Sequence, residues 1–214
     1  MKTLVIGANG QIGRHVVDLL KNSSEHTVTA MVRKKEQAKK FNEQGVDTAL
    51  VNLEDSVDEI AKAAKGFDAV VFTAGSGGST GPDKTLVIDL DGAIKSVEAA
   101  EQAGVKRFVI VSAIGANNRE KWGDEIKHYY AAKHYADKAL EASNLNYTIV
   151  RPGGLLNEEG TGKVNAAAEV ERGSIPRVDV AKIIVASLDE ENTFNKGFDL
   201  ISGDTPIEDA VKNV

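Results

Sequence analysis

The chain has 214 residues, 27 % charged and 42 % hydrophobic, with 20 glycines, 4 prolines and no cysteine, a profile that fits a compact α/β protein and excludes disordered, fibrous and disulfide-stapled classes. A net charge of -6 gives no broad field to attract phosphate backbones, so a nucleic-acid partner is not expected. Without a thiol, any redox work must pass through a cofactor, and with no apolar run long enough to span a bilayer and only a short one at Thr3 to Gly7, the expectation is no membrane partner and a cytoplasmic location.

Short apolar runs alternate with helical stretches along the whole chain. That alternation predicts a Rossmann fold: a doubly wound, mostly parallel, seven-stranded sheet with helices on both faces, in one domain over 1–214. The first strand is Thr3 to Ile6. Gly7-Ala8-Asn9-Gly10-Gln11-Ile12-Gly13 follows it and opens a helix from Ile12 to Lys21, whose Ile12, Val16 and Leu19 or Leu20 share one face. In this turn Gly7 allows the tight bend, Gly10 lets the backbone approach a pyrophosphate, and Gly13 permits close helix–strand packing. The helix start offers free amide donors to the anion. The spacing is GxxGxxG rather than GxGxxG, so the middle glycine has moved one place. The predicted ligand is a nicotinamide dinucleotide, with Asn9, Gln11 and Ile12 joining the three glycines as contacts.

The second strand, Thr27 to Val32, ends at Arg33. An acidic residue there would bind a bare ribose diol, whereas an arginine accommodates a 2′-phosphate. Arg33, with Lys34 and Lys35 beside it, therefore predicts NADP, with NADPH preferred over NADH; the same three residues also read as a solvated helix start. A helix over Glu36 to Glu43 leads to strand Thr48 to Val51, after which Asn52 and Leu53 would lie beside the adenine. A helix from Val57 to Lys65 turns Val57, Ile60, Ala61 and Ala64 inward. Strand Ala69 to Phe72 then gives way to Thr73-Ala74-Gly75-Ser76-Gly77-Gly78, small residues where the dinucleotide must cross the sheet edge, with Thr73, Ala74 and Gly75 as the candidate contacts. Both of these segments are also acceptable as ligand-free loops.

A long helix is predicted over Leu86 to Gln102, then strand Arg107 to Val111, helix Lys127 to Ser143 and strand Tyr147 to Val150. Pro152 to Pro176 is an irregular segment with a short helix near Val164 to Arg172. Helix Val178 to Leu188 and strand Phe198 to Ile201 complete the scheme. Gly45, Gly66 and Gly104 each sit between a helical run and a strand, where left-handed caps are wanted.

Tyr129 and Lys133 stand four apart on one helix and so face the same way. An ammonium there favours phenolate over phenol, lowering the tyrosine pKa toward a value useful for proton exchange with a carbonyl or hydroxyl oxygen. Ser112, at the end of the fifth strand, can hold that oxygen. Tyr130 and His134 repeat the spacing one position later, so the spacing alone does not establish an enzyme. The histidines at 15, 26, 128 and 134 are scattered, and no metal site is expected.

Taken together, Gly7-x-x-Gly10-x-x-Gly13, Thr73 to Gly75, Val87 to Gly92, Phe108-Val-Ile-Val-Ser112, Tyr129-x-x-x-Lys133 and Tyr147-Thr-Ile-Val-Arg-Pro-Gly153 resemble the short-chain dehydrogenase/reductase superfamily. The likeness is to its atypical short members near the nucleoside-diphosphate-sugar epimerase and flavin-reductase-like branches, and it covers nearly the whole chain. It implies Ser112 and Tyr129 as catalytic, Lys133 as both catalytic and a ribose contact, and Pro152 and Gly153 closing over the nicotinamide. The fourth active-site position, an asparagine in the superfamily, falls on Asp89. A charged Asp89 would perturb Lys133, or it would itself take up a proton. The lid available from 154–173 is small and, over Asn157 to Lys163, polar and flexible by composition, so a full sugar-nucleotide pocket is hard to build. The resemblance implies an NADP-dependent oxidoreductase or epimerase of a small molecule, with a dinucleotide-binding sensor as the alternative. Relatives often pair through helices, which leaves a homodimer open.

Overall fold

The computed structural model describes residues 1–78 and 80–214. From the amino terminus it runs β1 (Lys2–Ile6), α1 (Gln11–Lys21), β2 (Thr27–Val32), α2 (Lys35–Glu43), β3 (Asp47–Leu50), α3 (Val57–Ala64), β4 (Ala69–Phe72) and α4 (Pro82–Lys84). A π-helical segment, Thr85–Asp91, passes directly into α5 (Gly92–Ala103), followed by β5 (Arg107–Val111), α6 (Lys127–Glu141) and β6 (Asn146–Pro152). The carboxyl-terminal part holds β7 (Gly154–Leu156), β8 (Lys163–Ala167), β9 (Ser174–Pro176), α7 (Arg177–Asp189), β10 (Lys196–Ser202), β11 (Thr205–Pro206) and α8 (Ile207–Ala210).

Seven parallel strands lie in the order β3-β2-β1-β4-β5-β6-β10; β8 adds antiparallel to β10, and β11 antiparallel to β8. This is the doubly wound order, with the direction of winding reversing between β1 and β4, where such folds open a ligand crevice at the carboxyl ends of the strands. Alternate residues of each strand face opposite layers. Val5 joins Val16, Val17 and Leu20 of α1 and Ile183, Ile184 and Leu188 of α7 on one side. Leu4 and Ile6 join Ile60 of α3, Val97 of α5 and Leu140 of α6 on the other. Gly45, Gly66 and Gly104 take the left-handed conformation expected of them. Among the described residues no helix is long and apolar enough to cross a membrane.

Three local expectations are corrected. The main sheet has nine strands rather than seven. The helix expected near Val164 to Arg172 is instead β8 and an irregular run: Val164 pairs with Ser202 and Ala166 with Leu200, and Val164 is fully buried. The alanines at 166 to 168 favour helix locally, but the free edge of β10 offers backbone partners, and tertiary pairing outweighs a propensity of a few tenths of a kcal/mol per residue. Third, the long helix over Leu86 to Gln102 is not uniform. Its first two turns widen to π geometry, turning Thr85, Ile88 and Asp89 inward, and such wide turns recur at functional sites.

Candidate active site

The glycine turn between β1 and α1 is held by backbone constraints that differ at each glycine. Gly7 has φ +82°, and a Cβ there would lie 2.5 Å from the Ala74 backbone nitrogen. At Gly13 a Cβ would strike the Gly7 carbonyl oxygen and sit 2.8 Å from Thr73 Oγ1. Gly10 is exposed, has an ordinary φ of -69°, and would place a Cβ 3.1 Å from the Gly7 oxygen. Its amide donates to Gly7 O at 2.9 Å, and Asn9 Oδ1 accepts from Arg14 at 3.0 Å. Gln11 is exposed beside Gly10, while Ile12, in the first turn of α1, is buried in the core. Thr73 braces the turn from β4, its hydroxyl donating to Ile6 O and Gly7 O at 3.1 and 3.3 Å. Ala74 and Gly75 continue over the sheet edge, so the two small-residue loops meet at the crevice.

Around this crevice Arg33 is exposed just past β2, with no hydrogen-bond or ion-pair partner among the described residues. Asn52 closes a local turn with Glu54 and Asp55, and Leu53 is buried with its side chain against Gly92. Pro152 is buried at the end of β6.

The second half of the site gathers at the carboxyl end of β5. Lys133 is buried on α6. Its ammonium donates to Val111 O at 3.3 Å, stands 3.2 Å from Asp89 Oδ1, and lies 5.7 Å from the Tyr129 ring centre. Asp89 Oδ2 accepts the Ser76 amide at 2.9 Å, which ties the loop after β4 to the π-helical segment. The helix row continues to Asp137, whose Oδ2 accepts from Ser112 Oγ at 3.0 Å and Arg151 Nε at 3.1 Å. The other oxygen of Asp137 is buried with no partner among the described residues. Asp89, Lys133, Tyr129 and Ser112 thus share one neighbourhood, with the Ser112 hydroxyl committed to Asp137.

Sequence reasoning did not single out Asp137, and it met Ser76 and Arg151 only as members of a loop and a motif, without the contacts they make here. Asp137 carried a signal, since it extends the four-residue spacing of Tyr129 and Lys133 by one more step along the same helix face. Tyr130 and His134 resolve as packing: Tyr130 is buried and stacked on Trp122, and His134 Nδ1 meets Ala116 O at 2.9 Å. Tyr129 keeps part of its surface open.

The electrostatics depart from expectation at Tyr129. Burial pushes its phenol above the ordinary value; Lys133 pulls the other way, but Asp89 adds to the rise. Burial alone would depress Lys133, yet Tyr129 and Asp89 together hold it above the ordinary lysine value. Burial also raises Asp137, against the pull of Arg151 and Ser112. The expected lowering of Tyr129 fails chiefly because burial disfavours the phenolate by more than Lys133 favours it, and the Asp89 carboxylate in contact with the lysine adds to the rise.

Beyond Ser112 an open cleft of about 440 Å³ lies between the loop holding Ile114 to Lys121 and the segment Val170 to Arg172. Arg172 donates to Lys121 O at 2.6 Å, and Lys121 pairs with Glu169, so the two walls are joined. The polar stretch expected to be flexible is anchored from α7: Asp179, fully buried, accepts from the Thr161 and Gly162 amides at 2.8 and 3.2 Å.

A family model described as NAD(P)H-binding matches residues 7–191. A Bacillus subtilis (strain 168) protein named as an uncharacterized sugar epimerase, YhfK, is 60% identical over 214 residues, covering all of both chains. A Bacillus halodurans structure provisionally named an NAD-dependent epimerase/dehydratase superposes with TM-score 0.94 at 45% identity, again covering 100% of each chain. ChuY of Escherichia coli O157:H7, named as an anaerobillin reductase, superposes with TM-score 0.82 at 25% identity, covering 95% of this chain and 98% of its own.

Proposed function

This chain belongs to the NAD(P)H-binding family, and from that premise we propose that it is an NADP-dependent oxidoreductase or epimerase of a small molecule, working by hydride transfer with Tyr129 as its acid/base. The observation that carries this reading is the meeting of Tyr129, Lys133, Asp89 and Ser112 at the end of β5, on the same side of the sheet as a turn whose three glycines present bare backbone. When bound, the nicotinamide supplies or accepts the hydride. Gly7 to Gly13 would receive the pyrophosphate, with the first amides of α1 as donors. Arg33 would meet the 2′-phosphate, Asn52 and Leu53 the adenine, and Thr73, Ala74, Gly75 and Pro152 the path toward the nicotinamide. Lys133 would hold the nicotinamide ribose and Tyr129 would exchange the proton with the substrate.

The substrate would enter the cleft between Ile114 to Lys121 and Val170 to Arg172, with 154–173 as its lid in a single domain. Names among the relatives divide between sugar epimerase and reductase, and hydride exchange serves both. The small lid favours a compact substrate over a whole sugar nucleotide. Purified protein screened against small carbonyl compounds and sugars, read by loss of NADPH absorbance, tests the proposal. Tyr129→Phe keeps the ring and removes the proton, so a turnover loss of about 10²- to 10⁴-fold with unchanged NADPH affinity is expected. Equal turnover in parent and variant rejects the mechanism and leaves dinucleotide sensing as the alternative.

A further inference from the structure

Asp89 is 1 % exposed and Lys133 4 %, so their 3.2 Å contact is a buried ion pair. The carboxylate is fixed from both sides, by Lys133 on Oδ1 and by the Ser76 amide on Oδ2. It is presented by the π-helical segment, whose wide turn brings Thr85 and Asp89 inward together. An amide at this position would orient the lysine and leave its charge intact, whereas a carboxylate cancels it. A phenolate at Tyr129 would then be a net negative charge in a desolvated site rather than one half of a pair. The charged and titratable groups facing Tyr129 are Lys133, Asp89, Tyr130 and Asp137. Burial is the largest push toward phenol; of the charged groups only Lys133 favours phenolate, and its buried partner Asp89 works against it.

Resting on the reading that Tyr129 is the acid/base of a dinucleotide enzyme, we propose that Asp89 is a positioning residue that turns this site into a proton donor: it keeps Tyr129 a neutral phenol, fitted to reduce a polarised double bond, a carbonyl or an imine. In the balanced step, hydride from a dihydronicotinamide dinucleotide forms a C–H bond at the electrophilic carbon while the π electrons move to the oxygen or nitrogen. That atom takes the Tyr129 hydroxyl proton, the phenolate recovers a proton from solvent, and the nicotinamide is oxidised as the substrate is reduced. The reverse step needs a phenolate at the start, so alcohol or amine oxidation is confined to alkaline solution while reduction runs through neutrality.

The test is carbon-13 NMR of protein labelled at the tyrosine ring carbon bearing oxygen, whose shift separates phenol from phenolate. Tyr129→Phe assigns the signal. In the parent Tyr129 reads as phenol at neutral pH, with a midpoint above the ordinary 10.0, and in the isosteric Asp89→Asn the midpoint moves down. A parent midpoint below that of ordinary tyrosine overturns the proposal without reference to any variant. So does a midpoint that stays in place in folded Asp89→Asn. Calorimetry with NADPH on the same samples keeps the two readings apart: a parent that fails to bind NADPH refutes the dinucleotide assignment, while the titration still decides the state of Tyr129.

Discussion

Of the three glycines in the amino-terminal turn, Gly10 is the one whose bare backbone the fold itself needs least, a Cβ there meeting only the Gly7 oxygen at 3.1 Å. Gly7 and Gly13 face backbone at contact distances no Cβ can occupy, but Gly10 faces solvent with an ordinary φ. Gly10→Val is therefore expected to leave the domain folded and to remove dinucleotide binding by calorimetric titration, because the added methyls fill the approach to the amides of α1. Unchanged affinity in the folded variant would displace the pyrophosphate from this turn. Asp199 supplies a test by pH. Its side chain is buried with one oxygen unpartnered among the described residues, and burial raises its pKa above 3.8. An acid so raised contributes most to stability when protonated, and that contribution is lost as pH climbs through the folded value. Asp199→Asn, which can still accept the Val170 amide, is thus expected to gain on the parent as pH rises from about 4 toward 7. Denaturation midpoints at several pH values check this, and a gap that narrows over that range would contradict it. The positions of the glycines, Tyr129, Lys133 and Ser112, though not their proposed roles, were legible because they are set locally: a turn, a helix spacing, a strand end. Asp137 and Arg151 were not, since their pairing is made only when α6 packs over β6.

The elements were legible where one periodicity governed them. The helix near Val164 to Arg172 was misread because three alanines outweigh one buried valine in sequence, whereas in the fold the edge of β10 decides. The π-helical segment was invisible for a related reason, as the inward-facing Thr85 and Asp89 meet Ser76 of the preceding loop and Lys133 of α6 only in the completed fold. At the opposite end of the sheet Arg107 binds several elements together: Nη2 donates to Thr148 Oγ1 and Ser187 O at 2.6 Å, and Nη1 to Asn146 O at 2.8 Å. Its side chain is buried, so Arg107→Leu strands these acceptors of β6 and α7 without a donor. The expected loss is about 3 kcal/mol or more, read as a lower denaturant midpoint with an unchanged slope. NADPH affinity should hold, since this network lies away from the crevice. A loss below about 0.5 kcal/mol would mean that water replaces the guanidinium there.

The parallel order β3-β2-β1-β4-β5-β6-β10 brings every candidate group to one edge of the molecule. The glycine turn follows β1, Arg33 follows β2, Thr73 follows β4 and Ser112 follows β5, so one crevice receives the carboxyl ends of all these strands. The alternation of strands and helices made this architecture readable from the chain alone. The added β8 and β11 were not readable, because they depend on an edge that only the completed sheet creates. The central proposal at this scale is a dinucleotide laid across the β1 to β4 switch point with its 2′-phosphate against Arg33. Charge-assisted hydrogen bonds of this kind contribute about 1.5 to 3 kcal/mol, or roughly ten- to a hundredfold in affinity; Lys34 and Lys35 can supply part of it. The decisive measurement is calorimetric titration of the parent and Arg33→Ala with NADPH and NADH at one fixed ionic strength, since exposed charges are screened by salt. The parent should bind NADPH the more tightly, with that preference shrinking in Arg33→Ala, and a parent that binds NADH at least as tightly as NADPH would contradict the account.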